Sequence, residues 1–145
     1  MAFYPVPKPK RIKRNFTRST IKESVPLEED EQSVVARWLE AHGIRFQASA
    51  MGSYMHPATF LKAKKMGCQA GHPDLIIYDR PTPVENGKLY VGACIEMKRR
   101  KGGVVSEDQK AWLAALEERG WKCKIALGCD DAISFLEACG YRDRR

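Results

Sequence analysis

Between Leu27 and His42 the apolar residues Leu27, Val34, Val35, Trp38 and Leu39 recur at spacings of three and four, and Gly43 follows as a stop. That is the period of a helix buried along one side. Glu28, Glu29, Asp30 and Glu31 crowd its first turn, where the helix dipole favours negative charge. Residues 44–50 read as a strand of imperfect alternation. Pro57 opens a short helix through Ala58, Phe60, Leu61 and Ala63, ended by Gly67, and Gly71 marks a further turn.

Two apolar runs follow. Pro73 to Tyr78 is short and rich in Ile and Leu, and Leu89 to Lys98 carries apolar residues on both alternating sets until near its end. Both fit central strands of a sheet. The Asn86-Gly87 pair between them is a strong hairpin signal and predicts antiparallel pairing. From Ser106 a helix turns Trp112, Leu113 and Leu116 inward and stops at Gly120; Trp121 to Leu127 is a strand, and a last helix runs from about Asp130 to Cys139. A strand, helix, strand passage of this length favours a right-handed parallel crossover. The predicted fold class is α/β, a mixed central sheet flanked by helices in the order α-β-(α)-β-β-α-β-α.

The hairpin gathers chemistry. A turn centred on Asn86-Gly87 places Asp74 opposite Arg99, and a looser loop moves the partner toward Glu96. Glu96 and Lys98 are two apart and share one face, while Leu89, Val91, Ala93, Ile95 and Met97 point to the other. Two carboxylates at the end of apolar strands repel and lose hydration, which costs several kcal/mol unless a cation or a proton compensates. With hard oxygen ligands and no histidine or cysteine cluster nearby, the expected cation is Mg2+ or Mn2+ and not zinc. Lys98 beside it orients water or offsets charge growing on phosphoryl oxygens. Taken singly, Asp74 is equally a turn residue and the Glu96–Lys98 pair a salt bridge at a strand end; their joint placement carries the functional reading.

Charge adds a partner. The net charge is +7, yet residues 1–26 hold seven Lys/Arg against one acid, so almost all the excess lies there. This segment, with Lys8, Lys10, Arg11, Lys13 and Arg14 among Pro5, Pro7 and Pro9, lacks an apolar period and is expected to be a disordered or extended arm. A basic arm suits a phosphate backbone, although a solubilising tail has the same composition. Lys62, Lys64 and Lys65 before the carboxylates, and Arg99, Arg100 and Lys101 after them, extend the expected phosphate surface. The five cysteines have no zinc-type spacing and read as reduced, mostly buried thiols. Neither a secretory signal nor a run of roughly 20 apolar residues is present, so a soluble intracellular protein is expected, with no membrane partner. His56 and His72 are near the carboxylates in sequence and either could touch a phosphate, although a lone histidine in a turn is more often structural; Trp38, Trp112 and Trp121 read as core packing.

The set Gly71, His72, Pro73, Asp74, Leu75, Ile76, Ile77, then Ile95, Glu96, Met97, Lys98, then Ser106, Glu107, Asp108, Gln109, then Gly120, Trp121, Lys122, Cys123 resembles the VRR-NUC family of PD-(D/E)xK nucleases. The resemblance covers about residues 27 to 140 and is nearest to standalone, often phage-encoded members. It implies a restriction-endonuclease-like core over residues 27–145, and a homodimeric endonuclease (a hydrolase) that cuts branched DNA such as Holliday junctions or flaps. It also implies a metal held by Asp74, Glu96 and the Met97 carbonyl, a glutamine from the helix after the third strand, and an acid from the first helix. Gln109 fits the glutamine, although Ser106 and Gln109 equally form a capping box. Glu28 fits the acid by register, with Glu31, on the apolar stripe, as the alternative. The rival is a nucleic-acid-binding module that keeps this fold without cutting.

Overall fold

A computed structural model describes residues 25–49, 56–82 and 87–142. The expected arm, with Lys8, Lys10, Arg11, Lys13 and Arg14, and the turn residue Asn86 lie outside the described residues. Among the described residues four helices and four strands follow in the order α1 (Glu28–Ala41), β1 (Phe46–Ala48), α2 (Pro57–Lys65), β2 (Leu75–Ile77), β3 (Gly92–Lys98), α3 (Glu107–Glu118), β4 (Trp121–Leu127) and α4 (Cys129–Ala138). The expected order holds. Among the described residues no helix is long and apolar enough to cross a membrane.

The sheet order is β1-β2-β3-β4, antiparallel across the first two pairings and parallel between β3 and β4. The antiparallel hairpin and the parallel crossover through α3 therefore both form as predicted. Every residue of β3 is buried, because this strand has neighbours on both edges and helices on both faces. On one face Leu75, Ile77, Ala93, Ile95, Met97 and Ala126 pack against Val35 and Leu39 of α1 and Leu136 of α4. On the other, Ile76 and Cys94 meet Leu113 of α3, with Leu116, Trp121 and Cys123 around them. Truncating a fully buried residue such as Ile95 to alanine removes about 2–5 kcal/mol, so the two-sided core fixes β3 firmly.

Several details differ from expectation; the third strand begins at Gly92, and Leu89 and Val91, expected on its apolar face, precede it and are exposed. The first strand is short, Phe46–Ala48, with Phe46 half-buried and Gln47 and Ala48 exposed; Ile44 packs into the core ahead of it, and Ala50 lies outside the described residues. Cys94 and Cys123, expected as thiols, form a disulfide: the parallel register makes them partners, with Cα atoms 4.7 Å apart. Cys68, Cys129 and Cys139 remain thiols.

Gly71 brings the loop before β2 against the start of α3. Its φ is +81°, and a Cβ there would stand 2.5 Å from the Asp108 carbonyl carbon, so only glycine permits the approach. The loop that carries Pro73 and Asp74 is thereby held beside the first turn of α3.

Candidate active site

β2 and β3 pair Leu75 with Ile95; one further step along that register sets Asp74 across from Glu96, the looser of the two expected alignments. Asp74 is tied down directly: its Oδ2 accepts a hydrogen bond from the Met97 N–H at 2.7 Å, and its carbonyl accepts one from the Ser49 N–H at 2.7 Å. Glu96 and Lys98 lie on the α3 face of β3, with Met97 turned into the opposite core.

The Glu96 side chain is 1% exposed, and its two oxygens have different surroundings. Oε1 accepts from Lys98 Nζ at 2.6 Å and from Gln109 Nε2. Oε2 is buried with no hydrogen-bond partner among the described residues. Burial pushes the carboxyl up to about 7; the Lys98 hydrogen bond opposes this, while Asp74 and Glu28 add repulsion. Asp74 is raised as well, first by burial, against the lowering effects of the Met97 N–H, Lys98 and His72. An anionic form of this pair is expensive as it stands, and a cation in front of it would remove the cost.

Gln109 forms the expected capping box and also reaches Glu96. Its backbone N–H donates to Ser106 Oγ at 3.2 Å and its Oε1 accepts from the Ser106 N–H at 2.9 Å, completing the capping box, while Nε2 reaches Glu96. One side chain thus starts α3 and fastens it to the acid on β3.

The two acids of α1 separate. Glu28 Oε1 lies 3.9 Å from Lys98 Nζ, and the side chain is 28% exposed. Glu31 is 3% exposed and turned elsewhere: it accepts from Arg100 Nε at 2.6 Å, from Arg100 Nη2 at 3.2 Å and from the Cys129 N–H at 2.6 Å. These bonds hold its carboxyl down at about 2. Gly128 caps α4 and has no side chain to offer, so Glu31 from α1 satisfies an N–H of the first turn. Of the two, Glu28 is the one that faces Lys98, while Glu31 is a joint between α1, α4 and the end of β3.

Arg100, expected to face phosphates, is committed to Glu31 and to Asp130, its Nη2 lying 2.9 Å from Asp130 Oδ2. Arg99 and Lys101 are exposed beside it, and Lys62, Lys64 and Lys65 lie exposed in the last turns of α2. His56 caps α2 by accepting from the Ala58 N–H at 3.3 Å. His72, expected near the carboxylates from its place two residues before Asp74, stands in the turn beside that acid, and its Nδ1 lies 2.9 Å from the Pro73 carbonyl oxygen.

Among the described residues no three His, Cys, Asp or Glu stand in a ready-made metal-holding group. A hard ion that keeps most of its waters needs only one or two carboxylates. Asp74, the orphaned Glu96 Oε2 and the Met97 carbonyl therefore suit Mg2+ or Mn2+ in donor type.

A family model described as the VRR-NUC domain matches residues 17–129, beginning inside the segment expected as an arm. A solved structure described as "VRR_NUC domain protein" is similar at 27% sequence identity, covering 79% of this chain and 88% of that one, with a TM-score of 0.59. No curated protein matches the chain in sequence.

Proposed function

This chain belongs to the VRR-NUC domain family, a family of nucleases, and from that premise we propose that it is a Mg2+- or Mn2+-dependent endonuclease hydrolysing phosphodiester bonds of branched DNA. The observation that carries the reading is Glu96: a buried acid with one oxygen fixed by Lys98 and Gln109 and the other without a partner. Leaving such an acceptor unsatisfied costs about 1–3 kcal/mol, and a bound cation would recover it.

In this account Asp74, Glu96 Oε2 and the Met97 carbonyl would hold the ion, with Glu28 the further acid of the set, 3.9 Å from Lys98 Nζ. The bound ion supplies Lewis-acid polarisation of a phosphoryl oxygen and a more acidic water. The protein's own groups do the rest. Lys98, held by Glu96 at 2.6 Å, orients the attacking water and offsets charge growing on the phosphate. Water adds to phosphorus in line, the P–O bond to one neighbouring sugar breaks, and the proton the water gives up to solvent is matched by one taken up by the departing sugar oxygen. Gln109 is a positioning residue that keeps Glu96 Oε1 occupied, so that Oε2 is the oxygen presented. Exposed Arg99, Lys101, Lys62, Lys64 and Lys65 supply phosphate contacts, together with the basic arm. The family resemblance extends the proposal to a homodimer, which sedimentation would detect.

The test is incubation of the purified protein with labelled four-way, flap and duplex DNA, in Mg2+ or in EDTA. Cleavage of the branched substrates that requires the metal, and that Asp74→Ala and Lys98→Ala abolish while DNA binding persists, is the expected result. Tight binding with no cleavage under any condition would favour a non-cutting module.

A further inference from the structure

The α3 face of the sheet carries a second feature one step from the carboxylates. A cavity of about 440 Å3 opens between β1, β2 and α3, walled by Trp112, Trp121, Tyr78, His72, Gln47 and Gln69. Its position follows from the same elements that build the site. Ile76 and Tyr78 continue the Asp74 face of the sheet, at about 7 and 13 Å along the strand. Trp112 follows Gln109 by three residues on α3, about 4.5 Å along the helix. His72 joins the two places: it stands in edge contact with Trp112, ring centroids 5.1 Å apart, and is near Asp74.

The lining is not that of an ordinary core gap. Trp112 is half-buried and Tyr78 is 52% exposed, so large aromatic surfaces remain accessible where neighbouring helices could have covered them. Trp121 lies over Gly92, where an added Cβ would stand 2.5 Å from its ring, and forms a fixed floor. Gln47 Oε1 accepts from the Tyr78 hydroxyl at 2.9 Å, which holds one amide at the rim; Gln69 supplies another. Flat aromatic faces suit any base, and amides can pair with base edges. The lining residues themselves carry no acid.

We infer that this cavity takes one unstacked nucleobase of the DNA strand being cut, lying against Trp112, from a nucleotide next to the bond at the carboxylates. The inference rests on the nuclease reading and deepens it. Pulling a base out of a duplex costs unstacking and unpairing energy, least where the base is already unpaired. A base pocket one nucleotide from the scissile bond would therefore favour junctions and flaps over continuous duplex without reading sequence.

The experiment is binding of the full chain, in EDTA, to flap DNA with 2-aminopurine at an unpaired position beside the branch, and to a continuous duplex. Trp112→Leu keeps an apolar side chain without a ring, Trp112→Phe keeps an aromatic face, and thermal melts check that both are folded. Wild type should quench the 2-aminopurine. Trp112→Leu should lose the quenching and bind the flap about tenfold more weakly, with duplex affinity unchanged within about twofold, and Trp112→Phe should restore most of both. Should Trp112→Leu not fold, Gln47→Ala and Gln69→Ala are expected to weaken flap binding selectively.

Equal effects on flap and duplex, or none on either, would overturn the inference, as would a change in sedimentation mass without selective loss of flap binding, which would mark a contact between copies of the chain. Metal-dependent cleavage that Trp112→Leu leaves intact on flaps sinks the pocket and spares the nuclease reading. Selective, Trp112-dependent flap binding with no cleavage in any metal does the reverse.

Discussion

Replacing Glu31 by Gln separates the structural acid of α1 from the one proposed for chemistry. The Glu31 carboxylate accepts three hydrogen bonds, two from Arg100 and one from the Cys129 N–H. Glutamine offers one acceptor oxygen, and its amide nitrogen then faces another donor. Hydrogen bonds to charged groups contribute about 1.5–3 kcal/mol each. The Arg100 side chain is 42% exposed, so its share is reduced by solvent screening, and the expected net loss is about 2 kcal/mol. For a domain of this size that lowers the melting temperature by about 6–10 °C.

The folded Glu31 carboxyl titrates at about 2 and the ordinary one at 4.5. Its stabilisation is thus complete above pH 4.5 and is lost as pH falls toward 2. Urea unfolding of wild type and Glu31→Gln should show a gap at pH 6 that closes on acidification. Cleavage below the melting range should survive in Glu31→Gln, whereas Glu28→Gln should melt near wild type and lose at least about tenfold in rate. A stable but inactive Glu31→Gln beside a fully active Glu28→Gln would refute the assignment.

Glu96 has the opposite sign. Its folded carboxyl sits at about 7, above its ordinary 4.5, so in metal-free protein the associated stability is present below pH 4.5 and is lost as pH rises through 7. Mg2+ should therefore raise the melting temperature strongly at pH 8 and little at pH 5.5, because the ion must displace a proton. Gln109→Glu keeps the capping box but sets a carboxylate against Glu96; circular dichroism should show a folded chain and the cleavage assay a loss of about tenfold or more. Removing residues 1–26, with seven of the cations, should weaken DNA binding and flatten the slope of log affinity against log salt by up to about 6, with turnover at saturation changed less; an unchanged slope would exclude the arm from binding.

Much of this was legible before any coordinates. Alternation along residues 92–98 already placed Glu96 and Lys98 on one face, because a strand leaves no other choice once Ile95 and Met97 are buried. The hairpin then had only to fix a register, and the pairing of Leu75 with Ile95 sets Glu96 beside Asp74. The capping role of Gln109 was legible from its position three residues after Ser106, and its inward face of α3 pointed it at the sheet, where it meets Glu96.

Glu28 and Glu31 were not separable, since they lie one turn apart on one side of α1. What divides them is the first turn of α4, about a hundred residues onward, where Gly128 leaves an N–H for Glu31 to satisfy. The same joint hid the commitment of Arg100. The Cys94–Cys123 partnership depends on the parallel register, which no local pattern encodes. Trp112 sits at a core period, and only the assembled helix and sheet reveal its accessible face.

The most direct test is Mn2+ binding to the intact chain by electron paramagnetic resonance, without DNA and away from any activity assay. Wild type should take up the ion at a site whose affinity falls at least about tenfold in both Asp74→Ala and Glu96→Gln, with Glu31→Gln unaffected. Equal Mn2+ binding by wild type, Asp74→Ala and Glu96→Gln would contradict the account at its root.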